Sequence, residues 1–275
     1  MKIEVLLSTM YQSGFDIVKK CNIKSDAVIV NQCGYDKYEE KEFSFGKVRM
    51  YSNTNRGLSK SRNLALNSSV GDICLICDED VEYVENYVQI VTEAFNTIKD
   101  ADVIVFNINR VNAGKRQKEK LLKKIKRIPK FKTYGSVHIA FRRKSIVDKN
   151  ICFNELFGSG SGMYSMAEDS IFFRKIHSSG LKAYTYPEVI STVSFEESSW
   201  FNGYNEKYCF DVGAFLVEAY PNLYNIVKWY YPLRLKKESE LKAKTIISFI
   251  NKGIEGYKNK KTFNDIFPDF DENGE

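Results

Sequence analysis

Histidine is scarce in this chain: two residues, His138 and His177, occur in a sequence of 275. Neither belongs to a Ser–His or Cys–His arrangement suited to nucleophilic catalysis, so we expect both to be structural. Cysteine is infrequent too, with six residues scattered along the chain and several of them inside apolar segments. This distribution is typical of reduced, buried thiols and predicts a cytoplasmic protein. Cys74 and Cys77 have the spacing of zinc ligands, but they share one predicted strand and no second Cys/His pair follows, which argues against a zinc site.

Long hydrophobic runs are absent as well. No stretch contains 18 consecutive apolar residues, so no transmembrane helix is expected. The first apolar stretch, residues 3–8, contains Glu4 and is not followed by a small-residue cleavage site, so it predicts a strand and not a signal peptide. Hydrophobic residues still make up 43% of the chain, enough for one large domain or for a core with an appendage.

Positive charge is concentrated in two segments, although the net charge is only +6. Residues 115–132 contain ten Lys or Arg and one acid, and residues 225–261 contain ten and three. Such segments suit phosphate-bearing partners or anionic membranes, but a solvated helix face is an equally open interpretation. No nucleic-acid recognition motif is present, so nucleic acid is not an expected partner.

In residues 225–261, aromatic side chains stand beside the cations. This combination suits peripheral contact with the inner face of the cell membrane, where a polyprenyl-linked acceptor would reside, but it decides nothing by itself. A surface helix packed on the core or on a homodimer partner is the alternative.

Apolar strands alternate with amphipathic helices over the first hundred residues. Strands are predicted at 3–8, 26–31, 48–51, 73–77 and 103–107, and helices at 14–20, 59–67 and 84–99. This alternation predicts a parallel, doubly wound sheet. Beyond a charged insertion at 114–132, strands are predicted at 137–141, 182–186 and 189–193, with a helix at 167–179 and mainly helices from residue 200 onward.

The segment Ile73-Cys-Leu-Ile-Cys-Asp-Glu-Asp80 ends a short apolar run on three consecutive carboxylates. The run predicts a buried parallel strand, and ligands of open α/β sheets bind just beyond the carboxyl ends of such strands. Asp78 and Asp80 would form a hard-oxygen site suited to Mg²⁺ or Mn²⁺ on a pyrophosphate. An exposed acidic turn that caps the following helix is the alternative.

The segment Arg56-Gly-Leu-Ser-Lys-Ser-Arg-Asn63 leads from a loop into a helix. Gly57 permits a tight turn, Ser59 can cap the helix, and Arg62 and Asn63 lie in its first turn. A helix N-terminus with an arginine suits a phosphate or a nucleotide edge, although basic residues near a helix start are common.

Glycines crowd residues 157–162, and the acids Glu168 and Asp169 then open a helix. The helix N-terminus favours the ionised carboxylate, which suits a general base, while simple matching of the helix dipole is the alternative. The glycine-rich loop is predicted to be flexible and to close over a ligand. Trp200 stands beside acids and either stacks on a sugar ring or belongs to the core.

Taken in order, Gly57-Leu-Ser-x-Ser-Arg-Asn63, Gly71-Asp72-Ile73, Asp78-x-Asp80 and Glu168-Asp169 resemble the motifs of family 2 glycosyltransferases. The resemblance covers roughly residues 1–215 and is strongest to bacterial members that build capsular and other surface polysaccharides. It implies a GT-A (Rossmann-like) α/β fold, with a mostly parallel sheet flanked by helices and a helical C-terminal extension.

The same resemblance divides the chain into three parts. Residues 1–110 would form the nucleotide-sugar-binding half of the GT-A domain, and residues 111–215 the acceptor-binding and catalytic half. Residues 216–275 would be a basic, aromatic, helical extension with an acidic tail.

The resemblance also implies roles for individual residues. Asp80, with Asp78, would ligate the metal on the diphosphate, and Asp169 would be the catalytic base with Glu168 beside it. The acceptor side would include Trp200, Gly160 and Ser161. The residues expected to bind the nucleotide sugar are Ser8, Thr9, Asn31, Gln32, Arg56, Ser59, Arg62, Asn63, Asp78 and Glu79.

Two departures from the family pattern affect these expectations. Many members carry an acidic turn after the second strand, where this chain has Asn31-Gln32-Cys33-Gly34. An amide can still read a uracil edge, so a UDP-sugar stays the favoured donor. The usual later histidine ligand has no clear counterpart, since Val193-Ser-Phe-Glu-Glu197 occupies that neighbourhood.

These features together predict an inverting, metal-dependent glycosyltransferase that uses Mn²⁺ or Mg²⁺. Its acceptor would be a saccharide, either free or polyprenyl-linked. One alternative is a nucleotidyltransferase of sugar metabolism, which would usually carry a glycine-rich phosphate loop near its first strand, unlike Ser8-Thr-Met-Tyr-Gln12. The other is a non-catalytic nucleotide-sugar-binding protein on the same fold.

Overall fold

The computed structural model describes residues 1–111, 121–194 and 203–270, which form a mixed ten-stranded sheet and its flanking helices. The strands are β1 (Ile3–Met10), β2 (Asp26–Gln32), β3 (Lys37–Phe43), β4 (Gly46–Asn53), β5 (Ile73–Asp78), β6 (Val81–Tyr83), β7 (Val103–Val111), β8 (Lys126–Arg127), β9 (Ile139–Arg142) and β10 (Ala183–Ser194). The helices are α1 (Asp16–Lys20), α2 (Leu58–Ser68), α3 (Tyr87–Thr97), α4 (Arg143–Asp148), α5 (Glu168–Ser178), α6 (Glu206–Ala219), α7 (Tyr224–Val227), α8 (Tyr230–Leu235), α9 (Ala243–Asn259) and α10 (Phe263–Ile266).

The parallel part of the sheet has the strand order β4-β2-β1-β5. Strands β1, β2 and β5 are buried along almost their whole length, because each is covered on both faces by an apolar cluster. Polar residues follow at the carboxyl ends, where Ser8 stands opposite Asp78 and Thr9 stands opposite Asn31. The sheet therefore gathers polar side chains at one edge.

The rest of the sheet is largely antiparallel. Strand β9 joins β5 to β7, and β10 runs parallel to β7 while pairing with β6 in the antiparallel sense. Residues 183–194 form one strand and not the two that were predicted, since a register shift around Val189 lets the strand continue past Pro187. Strand β3 was not predicted, because its charged and mostly exposed sequence lacks apolar alternation.

The C-terminal helices pack as a layer around α6 and α9. A Cβ atom on Gly213 or Gly253 would collide with the backbone of the facing helix, so both positions need the close approach that glycine allows. The apolar cluster between α6 and α9 also includes Phe157 and Tyr164 from the loop before α5. The expected boundary at residues 215–216 lies inside α6, and the division into three parts stays a prediction.

None of the helices in the described ranges is long and apolar enough to cross a membrane. All six cysteines are free thiols, and five of them are buried. His138 and His177 each contact a backbone carbonyl, those of Phe106 and Lys132.

Candidate active site

Arg62 lies at the centre of the candidate site. It is in the second turn of α2, and its side chain is only 2% exposed. One terminal nitrogen donates to both carboxylate oxygens of Asp78, at 3.0 and 2.8 Å. The other donates to Asp169 at 2.8 Å and to Glu168 at 3.3 Å. A single guanidinium therefore joins the end of β5 to the start of α5.

The charges around Arg62 are unbalanced. Burial alone would lower the pKa of Arg62, but the charges of Asp78, Asp169 and Glu168 outweigh burial and raise it. Three carboxylates face this one cation, so they also repel one another. Burial and then the charge of Asp169 raise the pKa of Glu168 to about 7. Burial raises the pKa of Asp78 as well, against the opposing effect of Arg62. More carboxyl groups than cations therefore meet at this place, and the imbalance adds to the effect of burial on the pKa values of Glu168 and Asp78.

Asp80 and Glu79 differ sharply although they are neighbours. Glu79 accepts hydrogen bonds from the Thr9 hydroxyl at 2.6 Å and from the Met10 N–H at 3.1 Å, so it fastens the end of β1. Asp80 reaches solvent, and its backbone carbonyl accepts from the Ser194 N–H at 3.2 Å. Desolvation by the neighbouring protein groups, and then the charge of Asp78, raise the pKa of Asp80 to about 6. Asp80 is therefore the carboxylate of this turn that is open to a ligand.

The acid cluster fits a divalent cation in a limited way. Within residues 1–111, 121–194 and 203–270, no group of three His, Cys, Asp or Glu side chains is placed to hold a metal ion. Both oxygens of Asp78 already bind Arg62. Asp80 offers hard oxygen donors, and Mg²⁺ commonly takes one or two carboxylates and completes its shell with substrate phosphates and water. The donor set thus suits a metal that arrives with a diphosphate.

At the ends of β1 and β2, the polar side chains hold the neighbouring loops. Asn31 is fully buried; it accepts from the Gln12 N–H at 2.9 Å and donates to the Gln12 carbonyl at 2.9 Å. The side-chain carbonyl of Gln32 accepts from the Gly57 N–H at 2.8 Å, where α2 begins. Ser8 accepts from the Ser61 hydroxyl at 3.0 Å. These contacts shape the edge of the sheet where β1 and β2 end, which we call the rim. The nucleotide-binding role expected for Ser8, Asn31 and Gln32 stays a prediction.

Tyr11 was not among the predicted site residues, yet it stands at the open rim beside Arg56. Its ring is 69% exposed, and its backbone is in the left-handed region with φ 56°. The Arg56 guanidinium lies 4.9 Å from the ring centroid and donates to the Tyr11 hydroxyl at 2.9 Å. No local sequence pattern marks Tyr11, because its place depends on a residue 45 positions further along the chain.

Ser59 and Asn63 lie on the buried side of α2. The Ser59 hydroxyl donates to the Phe157 carbonyl at 2.6 Å. The Asn63 amide donates to the Phe153 carbonyl at 3.0 Å and accepts from the Phe153 N–H at 2.9 Å. The two side chains fasten residues 153–157 to α2, and their expected contact with the nucleotide sugar stays a prediction.

The glycine-rich loop packs against the start of α2. The Leu58 N–H donates to the Ser159 carbonyl at 2.9 Å, and a Cβ on Gly57 would lie 3.3 Å from the Gly160 oxygen. Gly158 has φ 104° and a Cβ there would lie 3.2 Å from the Glu168 carboxyl, so this loop covers Glu168.

The acceptor side is only partly within the described residues. Gly160, with φ 71°, lies next to Gly57, and the Ser161 hydroxyl donates to the Tyr164 carbonyl at 3.0 Å. Trp200 lies outside the described residues. The acceptor roles of these three residues stay predictions.

Asp169 is presented by the first turn of α5, after Ala167 in a left-handed conformation with φ 78°. One oxygen accepts from Arg62, and the other accepts from the Ser136 N–H at 3.1 Å. The two donors hold the carboxylate in one orientation, and Asp169 is more exposed than Glu168, at 29% against 12%. An oriented, accessible carboxylate is what a general base requires.

The geometry can now be compared with known proteins. Residues 24–154 match the family model described as Glycosyl transferase family 2. Over these residues, slightly less than half of the chain, the protein is similar to family 2 glycosyltransferases. The matched segment contains β2, α2 and the Asp78-Glu-Asp80 turn, so the predicted family resemblance is confirmed. A search of curated protein sequences finds no match.

Solved structures support the fold. The glycosyltransferase chain superposes on a crystal structure of S. aureus TarS 1–349 in complex with UDP-GlcNAc with a TM-score of 0.60, at 16% identity over 97% of this chain and 78% of that one. The corresponding complex with UDP gives a TM-score of 0.60 at 15% identity, over 96% and 93% of the two chains. Another TarS structure gives 0.56 at 14% identity and is covered over 45% of its length. The predicted GT-A fold, with a sheet flanked by helices, is confirmed.

Proposed function

We propose that this glycosyltransferase moves a sugar from a nucleotide sugar, with UDP as the favoured nucleotide, to a saccharide acceptor with inversion at the anomeric carbon. The observation that carries the proposal is the contact set of Arg62, which holds Asp78 and Asp169 on one guanidinium. A donor diphosphate near residues 78–80 and an acceptor hydroxyl near Asp169 would then share one cleft. Direct displacement needs this adjacency.

The nucleotide side of the proposal rests on the polar edge of the sheet. The two TarS structures that are similar in fold are complexes with UDP-GlcNAc and with UDP, which favours a uridine nucleotide here. Asp80 would hold a Mn²⁺ or Mg²⁺ ion together with the donor phosphates, and such an ion neutralises the departing diphosphate as a Lewis acid. Arg56 and Tyr11 at the rim offer a cation and an aromatic face to the nucleotide.

On the acceptor side, Asp169 would take the proton of the attacking hydroxyl. Hydrogen bonds from Arg62 and from the Ser136 N–H fix the direction of its carboxylate. Glu168 is mostly buried beneath Gly158, so it would adjust the local charge and would not meet the acceptor directly. The proposed acceptor is a saccharide of a bacterial surface polymer, free or polyprenyl-linked, and this choice rests on the motif resemblance.

A screen of nucleotide sugars with Mn²⁺ tests the proposal. We expect one UDP-sugar to raise the melting temperature and to be slowly hydrolysed to UDP, with both effects lost on chelation. The Asp169→Asn variant should still be stabilised by that donor but should release UDP far more slowly.

The two alternatives predict other products. A non-catalytic binding protein would be stabilised by a nucleotide sugar without releasing UDP at any acceptor concentration. A nucleotidyltransferase would consume a sugar phosphate and a nucleoside triphosphate and release pyrophosphate. Either result would contradict the proposed transfer.

A further inference from the structure

The short helices α7 and α8 expose an unusual group of apolar side chains. We define the α7–α8 face as the outward side chains of residues 223–233. Exposure reaches 77% for Leu233, 71% for Ile226 and 60% for Trp229. The members of the α7–α8 face are Leu223, Ile226, Trp229, Tyr230 and Leu233. Exposed apolar side chains that recur every three or four residues along a short segment are typical of an interaction surface.

The segment that carries the face is folded onto the body of the protein. Tyr231 is 6% exposed and Leu235 is fully buried, and both pack in the cluster formed by α6 and α9. The outward residues therefore alternate with anchored ones on the same helix. Exposure of Tyr230 and Leu233 follows from the fold and not from a frayed end.

Of the segment 225–261, which the sequence suggested for membrane contact, only the first part exposes large apolar side chains. The apolar stripe of α9 is buried against α6 through Ile246, Ile250 and Ile254. Helix α9 is thus a core helix that contributes only its charged side to the surface. The apolar residues that remain free for a partner are those of the α7–α8 face.

Cations accompany this face without acids among them. Residues 223–237 contain Lys228, Arg234, Lys236 and Lys237 and no Asp or Glu, so the segment carries a charge of +4. Lys258 of α9 adds a further cation, since its ammonium donates to the Tyr224 hydroxyl at 2.8 Å. The nearest acids in sequence, Glu238 and Glu240, lie after the cations.

We propose that the α7–α8 face docks on an anionic lipid bilayer. Trp and Tyr side chains favour the membrane–water interface, Leu and Ile insert between the acyl chains, and Lys and Arg are attracted to anionic headgroups. A second copy of the chain is a poorer occupant. A two-fold interface would place the same patch of each copy on the other, so the four cations of one copy would face the four of its mate.

Vesicle flotation with the full chain tests the proposal without any donor or acceptor sugar, so its outcome is independent of the proposed transfer reaction. The protein should float at low salt with vesicles of equal parts phosphatidylcholine and phosphatidylglycerol, and much less with phosphatidylcholine alone. Ile226→Ser and Leu233→Ser should each weaken partitioning by about tenfold. Lys236→Ser and Lys237→Ser should each weaken it by about fivefold, an effect that fades as salt rises.

Val70→Ser removes an exposed aliphatic side chain elsewhere, at 58% exposure, and should leave flotation unchanged. All variants should keep the melting temperature and the donor hydrolysis of the parent protein, because the substituted side chains lie outside the candidate active site.

Three results would overturn the proposal. The first is failure of the parent protein to float with anionic vesicles at low salt. The second is flotation that is lost on Leu121→Ser or Phe131→Ser, in the other basic segment, and kept in Leu233→Ser. The third is self-association by analytical ultracentrifugation that Ile226→Ser and Leu233→Ser abolish, since it would assign the face to a second copy.

Discussion

The two acidic motifs of this protein look alike in sequence, and they differ in which carboxylate Arg62 holds: the more buried Asp78 in one and the more exposed Asp169 in the other. At the end of β5, the outer carboxylate of Asp80 reaches solvent while Asp78 is tied to Arg62. At the start of α5, Glu168 is covered by Gly158 while Asp169 is held by Arg62 and the Ser136 N–H. Each motif therefore has one carboxylate suited to chemistry and one that fixes the charge and geometry behind it.

The comparison shows that Arg62 serves both motifs at once. A buried guanidinium is unfavourable unless it is paired, and here its partners come from two elements that are far apart in sequence. The cation thereby joins two local acidic turns into one cluster of charged side chains. Four changes to the molecule would break or sharpen this comparison.

The largest effect is expected from Arg62→Ala, because it leaves three carboxylates without their cation. Removal of one partner from a buried ion pair typically costs about 3–5 kcal/mol of unfolding free energy. Chemical denaturation should show a loss of this size, and donor turnover should vanish with it. Arg49→Ala is the matched control, since it breaks the Arg49–Glu4 pair outside the site and should destabilise the folded protein while turnover is retained. Equal turnover losses in the two variants would contradict the role of Arg62.

Asp169→Asn should lower kcat by roughly 10²–10⁴, the usual worth of a general base, and should change UDP affinity little. Glu168→Gln is the comparison within the same motif, and its effect on kcat should be much smaller. Steady-state kinetics and calorimetric titration with UDP measure the two quantities. If Glu168→Gln proved to be the more damaging change, the assignment of the base would pass to Glu168.

Asp80→Asn should remove the part of UDP affinity that depends on Mn²⁺. Calorimetry in the presence of Mn²⁺ should then give the weak binding that the parent protein shows with a chelator. Glu79→Gln supplies the control within the same turn, since Glu79 bonds to Thr9 and Met10 and faces β1. An unchanged metal dependence in Asp80→Asn would reject Asp80 as a ligand.

The smallest effect concerns pH. The pKa of Glu168 is raised to about 7 in the folded protein, well above that of an unfolded glutamate, so folding favours its protonated form. Its stabilising contribution is complete below the pKa of an unfolded glutamate, declines as pH rises above that value, and is lost once pH has passed about 7. Between pH 5 and pH 8, the melting temperature of Glu168→Gln should therefore fall less steeply than that of the parent protein. Glu82→Gln, at an exposed position of β6, should follow the parent protein.

Much of the parallel half was predictable from local patterns. The apolar run before Asp78 indicated a buried strand with a polar end, and β5 has that form because a strand covered on both faces must be apolar along its length. Strand β3 could not be predicted in the same way. Its charged residues pair with β4 through the backbone, and backbone pairing leaves little trace in side-chain pattern.

The sequence could predict which residues lie in or near the candidate site, but not which of them would face a ligand and which would hold the neighbouring loops. Asn31, Ser59 and Asn63 are polar residues in suitable places, yet their side chains bond to backbone groups of neighbouring loops. Sequence spacing does not distinguish a side chain that meets a ligand from one that holds the chain beside it. Tyr11 escaped notice because its position at the rim depends on Arg56, which is 45 residues away.

The amino-acid sequence alone determined the alternation of strands and helices, the two acidic motifs and the resemblance to family 2 glycosyltransferases, because these depend on residues close together in the chain. Only the tertiary structure decided that Arg62 joins Asp78 to Asp169, that Glu168 is covered, and that α7 and α8 expose apolar side chains while α9 buries its own. These outcomes follow from packing between distant segments, where burial and charge pairing are set by neighbours that no local pattern specifies.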